Sequence, residues 1–280
     1  MILAMASLRF DGAPIVAPNR RNAYLSGMSS EMTYPAMWTD VVDLRDFYGG
    51  SLGQTAQRLI RRQVRALWPD VAGQRVLGLG FATPYLRVFM SEAERVIAAM
   101  PASQGVLPWP PEGPGLTALV DETDLPLPDR SIDRLLLVHA LEATEQVRAM
   151  MREAWRVLAD GGRLVIVVPN RRGIWARLDR TPFGNGRPYT VGQLNRLLRD
   201  NMFTPVNQTS ALFLPPTSSR MMLRSATAVE EIGRRWFETF GGVIIVEAAK
   251  QIYAGSAVRE GKAKRRSYLP VAEGFSRVME

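Results

Sequence analysis

The chain has 280 residues, 46% of them hydrophobic, and a formal net charge of +8. That length can bury a full core, and one domain with embellishments is the default for it. With no cysteine and a single histidine, His139, a disulfide framework, a thiolate nucleophile and sulfur-ligated or multi-histidine metal sites are excluded, so no metal is expected and any Ser-His-Asp triad would depend on His139 alone.

Residues 1–36 lack a long apolar stretch followed by a small-residue cleavage site, so they do not read as a secretory signal. A disordered extension, or an over-extended start ahead of Met32 or Met37, is expected instead. Trp38, Phe47 and Tyr48 come next, and packing explains these aromatics as well as a covering lid does. From Leu52 to Leu67 apolar residues recur at helical spacing, with Arg58, Arg61, Arg62 and Arg65 opposite them as a solvated face. Arg75 to Leu79 then reads as a strand, followed by a small-residue turn and a helix from about Thr83 to Glu94.

A second strand is expected over Arg95–Met100, a Pro/Gly-rich loop over Pro101–Gly115 carrying Trp109, and a third strand over Leu116–Val120. After an acidic, proline-punctuated loop from Asp121 to Asp129 comes Asp133–Val138, whose continuous apolar character suits a strand buried on both faces. A helix is predicted from an N-cap at Thr144 to Gly161-Gly162, then a strand over Arg163–Val168. Further on, helices are expected over Val191–Arg199 and Thr227–Phe240 and strands over Thr204–Leu214 and Val243–Ala248. This alternation indicates βαβ units and the α/β, doubly wound class. No apolar run reaches the roughly eighteen residues of a membrane helix, so no membrane span is expected; a reducing cytoplasm fits the cysteine-free composition.

Two segments carry a family resemblance. Leu125-Pro126-Leu127-Pro128-Asp129-Arg130-Ser131-Ile132-Asp133 is similar to Leu-Pro-Phe-x-Asp-x-Ser-Phe-Asp, and Arg152 to Leu164 is similar to Glu-x-x-Arg-Val-Leu-Lys-Pro-Gly-Gly. Both patterns belong to the class I S-adenosylmethionine-dependent methyltransferases, closest to the group called type 11, which the chain resembles over roughly Leu52 to Ala254. The resemblance implies a mostly parallel, seven-stranded Rossmann-like sheet with an antiparallel last strand. It places a methyltransferase-like domain at 37–254, between the extension at 1–36 and a basic tail at 255–280.

The resemblance also implies S-adenosylmethionine as cofactor, held by Gly78, Gly80, Ala82, Asp121, Glu122 and His139, with Asp121 on the adenine amino group. The chain departs from the family in its glycine-rich turn. Gly78 stands at the acidic position, Gly80 at the first glycine, Ala82 at the second and Pro84 at the third, and no acid follows the second strand near Met100 to hold the ribose. An alanine forced to positive φ there would cost on the order of 1 kcal/mol.

The first reading is a methyltransferase acting on an unidentified acceptor, with no catalytic residue assigned. The alternative is a catalytically inactive methyltransferase-like protein that has lost the cofactor and serves as a protein-binding partner or scaffold. A nicotinamide-dependent oxidoreductase is opposed by the missing Gly-x-Gly-x-x-Gly and ribose acid. The tail run Lys262-Ala263-Lys264-Arg265-Arg266 reads as a solvated charge run. With no aromatic-interleaved basic stripe, nucleic acid is not an expected partner.

Overall fold

Unalternating apolar runs such as Leu135-Leu136-Leu137-Val138 must be covered on both faces, and a sheet between two helical layers does this. The structure, a computed structural model, describes residues 40–217 and 219–252. In chain order the elements are α1 (Val41–Gly49), α2 (Ser51–Leu67), β1 (Arg75–Gly80), α3 (Thr83–Leu86), β2 (Arg95–Pro101), β3 (Thr117–Val120), β4 (Ile132–Val138) and α4 (Val147–Val157). There follow β5 (Leu158–Pro169), α5 (Val191–Asp200), β6 (Phe203–Ala211), α6 (Arg220–Arg224), α7 (Ala226–Trp236) and β7 (Val243–Lys250).

The seven strands form one sheet in the order β3-β2-β1-β4-β5-β7-β6. Neighbours from β3 to β5 are parallel, while β7 is antiparallel to both β5 and β6. Strand periodicity of two sends Val76, Leu136, Val138, Val165, Val167 and Ile245 into one core. Their neighbours Leu77, Leu79, Leu135, Leu137, Ile166 and Ile244 enter the other. The first core lies under α1 and α2; the second is covered by α4 and α5.

The strand order reverses between β1 and β4, so the loops after these strands flank the crevice in which doubly wound sheets bind ligands. Gly78 pairs with Leu136 and Gly80 with Val138, which brings the two loops side by side.

Several elements differ from expectation. Helix α1 was not foreseen, although Asp40 accepts from the Val42 N–H at 2.7 Å as its N-cap and Val41, Leu44 and Tyr48 bury one face. Helix α3 stops at Leu86 and continues as a short 3-10 turn to Phe89 rather than running to Glu94. Phe89 packs on Trp68, Arg65 pairs with Glu92, and the Glu94 N–H is bonded to the Gln74 carbonyl, so the chain is already turning into β2.

Thr144 is not the N-cap of α4. Its hydroxyl accepts from the Gln146 N–H and donates to Glu122, and the helix begins at Val147. Strand β5 starts at Leu158, which pairs with Ile132, instead of at Arg163. The expected helix at Thr227–Phe240 is divided into α7 and a final 3-10 turn, with α6 ahead of it. The readings of 1–36, Trp38 and the tail at 255–280 lie outside the described residues.

Candidate functional site

Gly80 is the residue of the β1 turn that needs glycine: its φ is +87°, and a Cβ there would lie 2.3 Å from the Val138 carbonyl oxygen. Ala82 is not strained, contrary to the expectation of positive φ. It caps α3 with φ −87° and ψ −11°, and Pro84 occupies the first helical turn, where its missing N–H is harmless. Gly78 leaves no room for a larger residue, because a Cβ would meet the Ala82 Cβ and the Leu86 Cδ1, each at 2.6 Å. The space for a carboxylate is therefore filled by α3.

Across the crevice, His139 leaves β4 at φ +52°, a conformation seldom adopted by residues with a Cβ. Its Nε2 lies 2.8 Å from the Tyr48 hydroxyl, which lies 2.8 Å from that of Tyr85. Its Nδ1 lies 3.2 Å from Glu142 Oε1, yet neither Glu142 oxygen has an aligned hydrogen-bond partner among the described residues. Burial pushes both tyrosine hydroxyls up from their ordinary value, Tyr48 further through the neighbouring Tyr85. Both therefore stay neutral and serve as hydrogen-bonding groups.

The β2–β3 loop closes the remaining side. The Gln104 side-chain amide donates to the His139 carbonyl, while the Gln104 backbone carbonyl accepts from the Val41 N–H at 2.9 Å. Thus α1, the end of β2 and the end of β4 are joined across the space between the strand ends. Tyr48 stacks on Phe81, and Phe183 packs against His139 and Phe47. Tyr48 is 7% exposed, Gln104 4%, His139 3% and Met100 1%, so the crevice is filled by the chain's own side chains.

The expected adenine contact, Asp121, stands apart from this cluster in an exposed turn. Its Oδ1 accepts from the Thr123 N–H at 2.8 Å and the Thr123 hydroxyl at 2.6 Å, and these bonds hold its carboxyl below its ordinary value. Glu122 accepts from Thr144 at 3.1 Å. The structure brings Gly78, Gly80, Ala82 and His139 to one place and leaves Asp121 and Glu122 on the loop after β3.

Residues 78–166 match the family model described as a methyltransferase domain. Among solved structures, an S-adenosylmethionine-dependent methyltransferase of Thermotoga maritima is 17% identical, with a TM-score of 0.54 over 75% of this chain and 96% of that one. A second, from Archaeoglobus fulgidus, is 18% identical, with a TM-score of 0.50 over 69% of this chain and 94% of that one. Among curated proteins, an uncharacterized protein of Mycobacterium tuberculosis is 31% identical over 109 residues, 36% of this chain and 38% of the relative. A demethylmenaquinone methyltransferase of Corynebacterium efficiens is 29% identical over 131 residues, 47% of this chain and 57% of the relative. The chain spans well under two thirds of the length of these curated relatives.

Residues 78–166 thus match a methyltransferase domain, the fold is the one these S-adenosylmethionine-dependent methyltransferases share, and S-adenosylmethionine is the cofactor that such a domain implies. The side chains present do not fit it. No acid stands at Gly78 or Met100, and the crevice is crossed by Tyr48 and Gln104. Met100, at the ribose position, is buried with its sulfur accepting from the Leu107 N–H at 3.4 Å. Among the described residues no group of three or more His, Asp or Glu could hold a metal ion, and no helix is long and apolar enough to cross a membrane.

Sequence reasoning missed Gln104, Tyr85, Glu142 and Phe183. None sits in a recognisable motif, and a glutamine in a Pro/Gly-rich loop carries no periodic signal. Trp109, on the Pro/Gly-rich loop, packs into the same core as Tyr48, Phe81 and Met100.

Proposed function

We propose that this chain keeps the class I methyltransferase architecture without the cofactor and works by binding a protein partner. The observation that carries this reading is the buried cluster of Tyr48, Tyr85, Gln104 and His139 standing where a nucleotide-like ligand would enter. A contact surface is available on α7 and the turn after it, where Ile232, Trp236, Phe237 and Phe240 are exposed around an apolar hollow of about 370 Å³.

The family match over residues 78–166 and the retained Asp121 favour a second reading, an S-adenosylmethionine-dependent methyltransferase acting on an unidentified small-molecule acceptor. Gly78, Gly80, Ala82, Asp121, Glu122 and His139 would then line the cofactor, and α1 would have to leave the crevice first. Isothermal titration with S-adenosylmethionine and S-adenosylhomocysteine at two temperatures separates the readings. No heat at millimolar ligand at either temperature, and no ligand-dependent rise in Tm, is the expected result. A micromolar Kd would transfer the chain to the second reading.

A further inference from the structure

A groove of about 920 Å³ runs between α2 and the α6–α7 segment, a size typical of small-molecule sites. Arg58 and Arg61, three apart on α2, line it together with Arg220 and Arg224, four apart on α6. At these spacings two side chains share one face of a helix, so each wall presents a pair of guanidiniums. Arg62 lines the adjoining hollow. No carboxylate lines either space, and among the described residues none of these five arginines forms an ion pair.

The neighbouring charges behave differently. Arg65, further along α2, is held by Glu92 at 3.0 Å, and Glu231 on α7 is held by Arg234 at 2.8 Å. These two carboxylates are thus already paired, Glu231 lying also within the field of Arg62. Like charges this close repel one another, and an anion spanning the groove removes the repulsion from both walls at once.

We propose that this groove binds a small ligand carrying linked phosphates, such as pyrophosphate or a longer oligophosphate group. A single phosphate reaches one guanidinium pair, whereas linked phosphates reach both, and arginine forks suit phosphate oxygens. Tyr48, almost wholly buried, is the one aromatic residue among the described ones that lines the groove. A nucleic-acid strand needs instead a continuous basic track with stacking aromatics. The groove shares Tyr48 with the crevice, but its arginines on α2 and α6 lie outside the crevice cluster.

The test is titration of the full chain with sodium tripolyphosphate, pyrophosphate and orthophosphate at one ionic strength. Tripolyphosphate is expected to bind at least tenfold more tightly than orthophosphate. The double variant Arg58→Gln/Arg224→Gln, one change on each wall and both at exposed positions, should weaken it at least tenfold. Arg196→Gln, exposed on α5 outside the groove, should leave it unchanged. Absence of binding, equal affinity for orthophosphate, or an equal loss in Arg196→Gln would overturn the site, the last two by reducing it to the general field of a basic chain. A single-stranded RNA oligonucleotide that binds through Arg58 and Arg224 more tightly than tripolyphosphate would overturn the ligand class.

Discussion

Tyr48 joins α1 to the strand ends through one oxygen. Replacing it with phenylalanine keeps the ring against Phe81 but leaves the Tyr85 hydroxyl and His139 Nε2 without that partner inside the core. A buried polar group stripped of its partner costs about 1–3 kcal/mol. Tyr48→Phe is therefore expected to lower the unfolding free energy by about that amount in a urea titration; no change would mean that the hydroxyl network does not anchor α1. The sequence marked Tyr48 as an aromatic ahead of the first recognised helix. Its partners lie 37 and 91 residues away, beyond any local pattern.

At the scale of elements, the two segments that carry the family resemblance meet and form a clamp. Arg156 on α4 donates to the Leu125 and Leu127 carbonyls at 2.9 and 2.8 Å, to Asp129 at 2.7 Å and to Glu153 at 2.9 and 2.7 Å. Glu153 in turn accepts from the Leu125 N–H at 2.9 Å. The motif residues thus lock the acidic loop onto α4. At the same, N-terminal ends of the strands, Arg75 at the start of β1 grips Asp133 of β4 through its side chain and its backbone N–H.

The Arg156 hydrogen bond holds the Glu153 carboxyl below its ordinary value of 4.5, and the Arg75 hydrogen bond holds Asp133 below 3.8, in both cases against a desolvation that raises them. Folded-state values depressed below the unfolded ones stabilise above the unfolded values, and this contribution is lost as pH falls through them. Glu230 acts in the opposite sense. Burial raises it even though the Leu212 and Phe213 N–H groups bond to it, so its protonation partly offsets the loss. Stability measured by urea unfolding should fall from about pH 5 to about pH 3, and Glu153→Gln should flatten that slope. An unchanged slope in the variant would remove the clamp from the account.

At the scale of the molecule, the crevice is closed by three distant pieces of chain: α1, the loop after β2, and the loop after β4. Restoring the family signature with Gly78→Asp/Ala82→Gly tests whether the glycine turn alone decides binding. The aspartate would be driven against Leu86, whose Cδ1 already lies 2.6 Å from a Cβ at that position. The double variant is expected to melt at a lower temperature than the parent and to show no heat with S-adenosylmethionine. Recovered binding at parental stability would show that the side chains of the crevice yield readily.

By itself, the sequence determined the doubly wound class and the approximate course of the strands, because burial on both faces leaves apolar runs that any reading by periodicity finds. It also carried the resemblance to the methyltransferases, through Leu125–Asp133 and Arg152–Leu164, since a clamp built from charged groups and fixed turns tolerates few residues. Only the tertiary structure decided the state of the crevice and the place of the arginines. Tyr48, Gln104 and His139 are far apart in sequence, and their meeting depends on how α1 and the β2–β3 loop pack over the strand ends. Arg58 and Arg61 look like a solvated helix face until Arg220 and Arg224, more than 150 residues on, close the other wall of the groove.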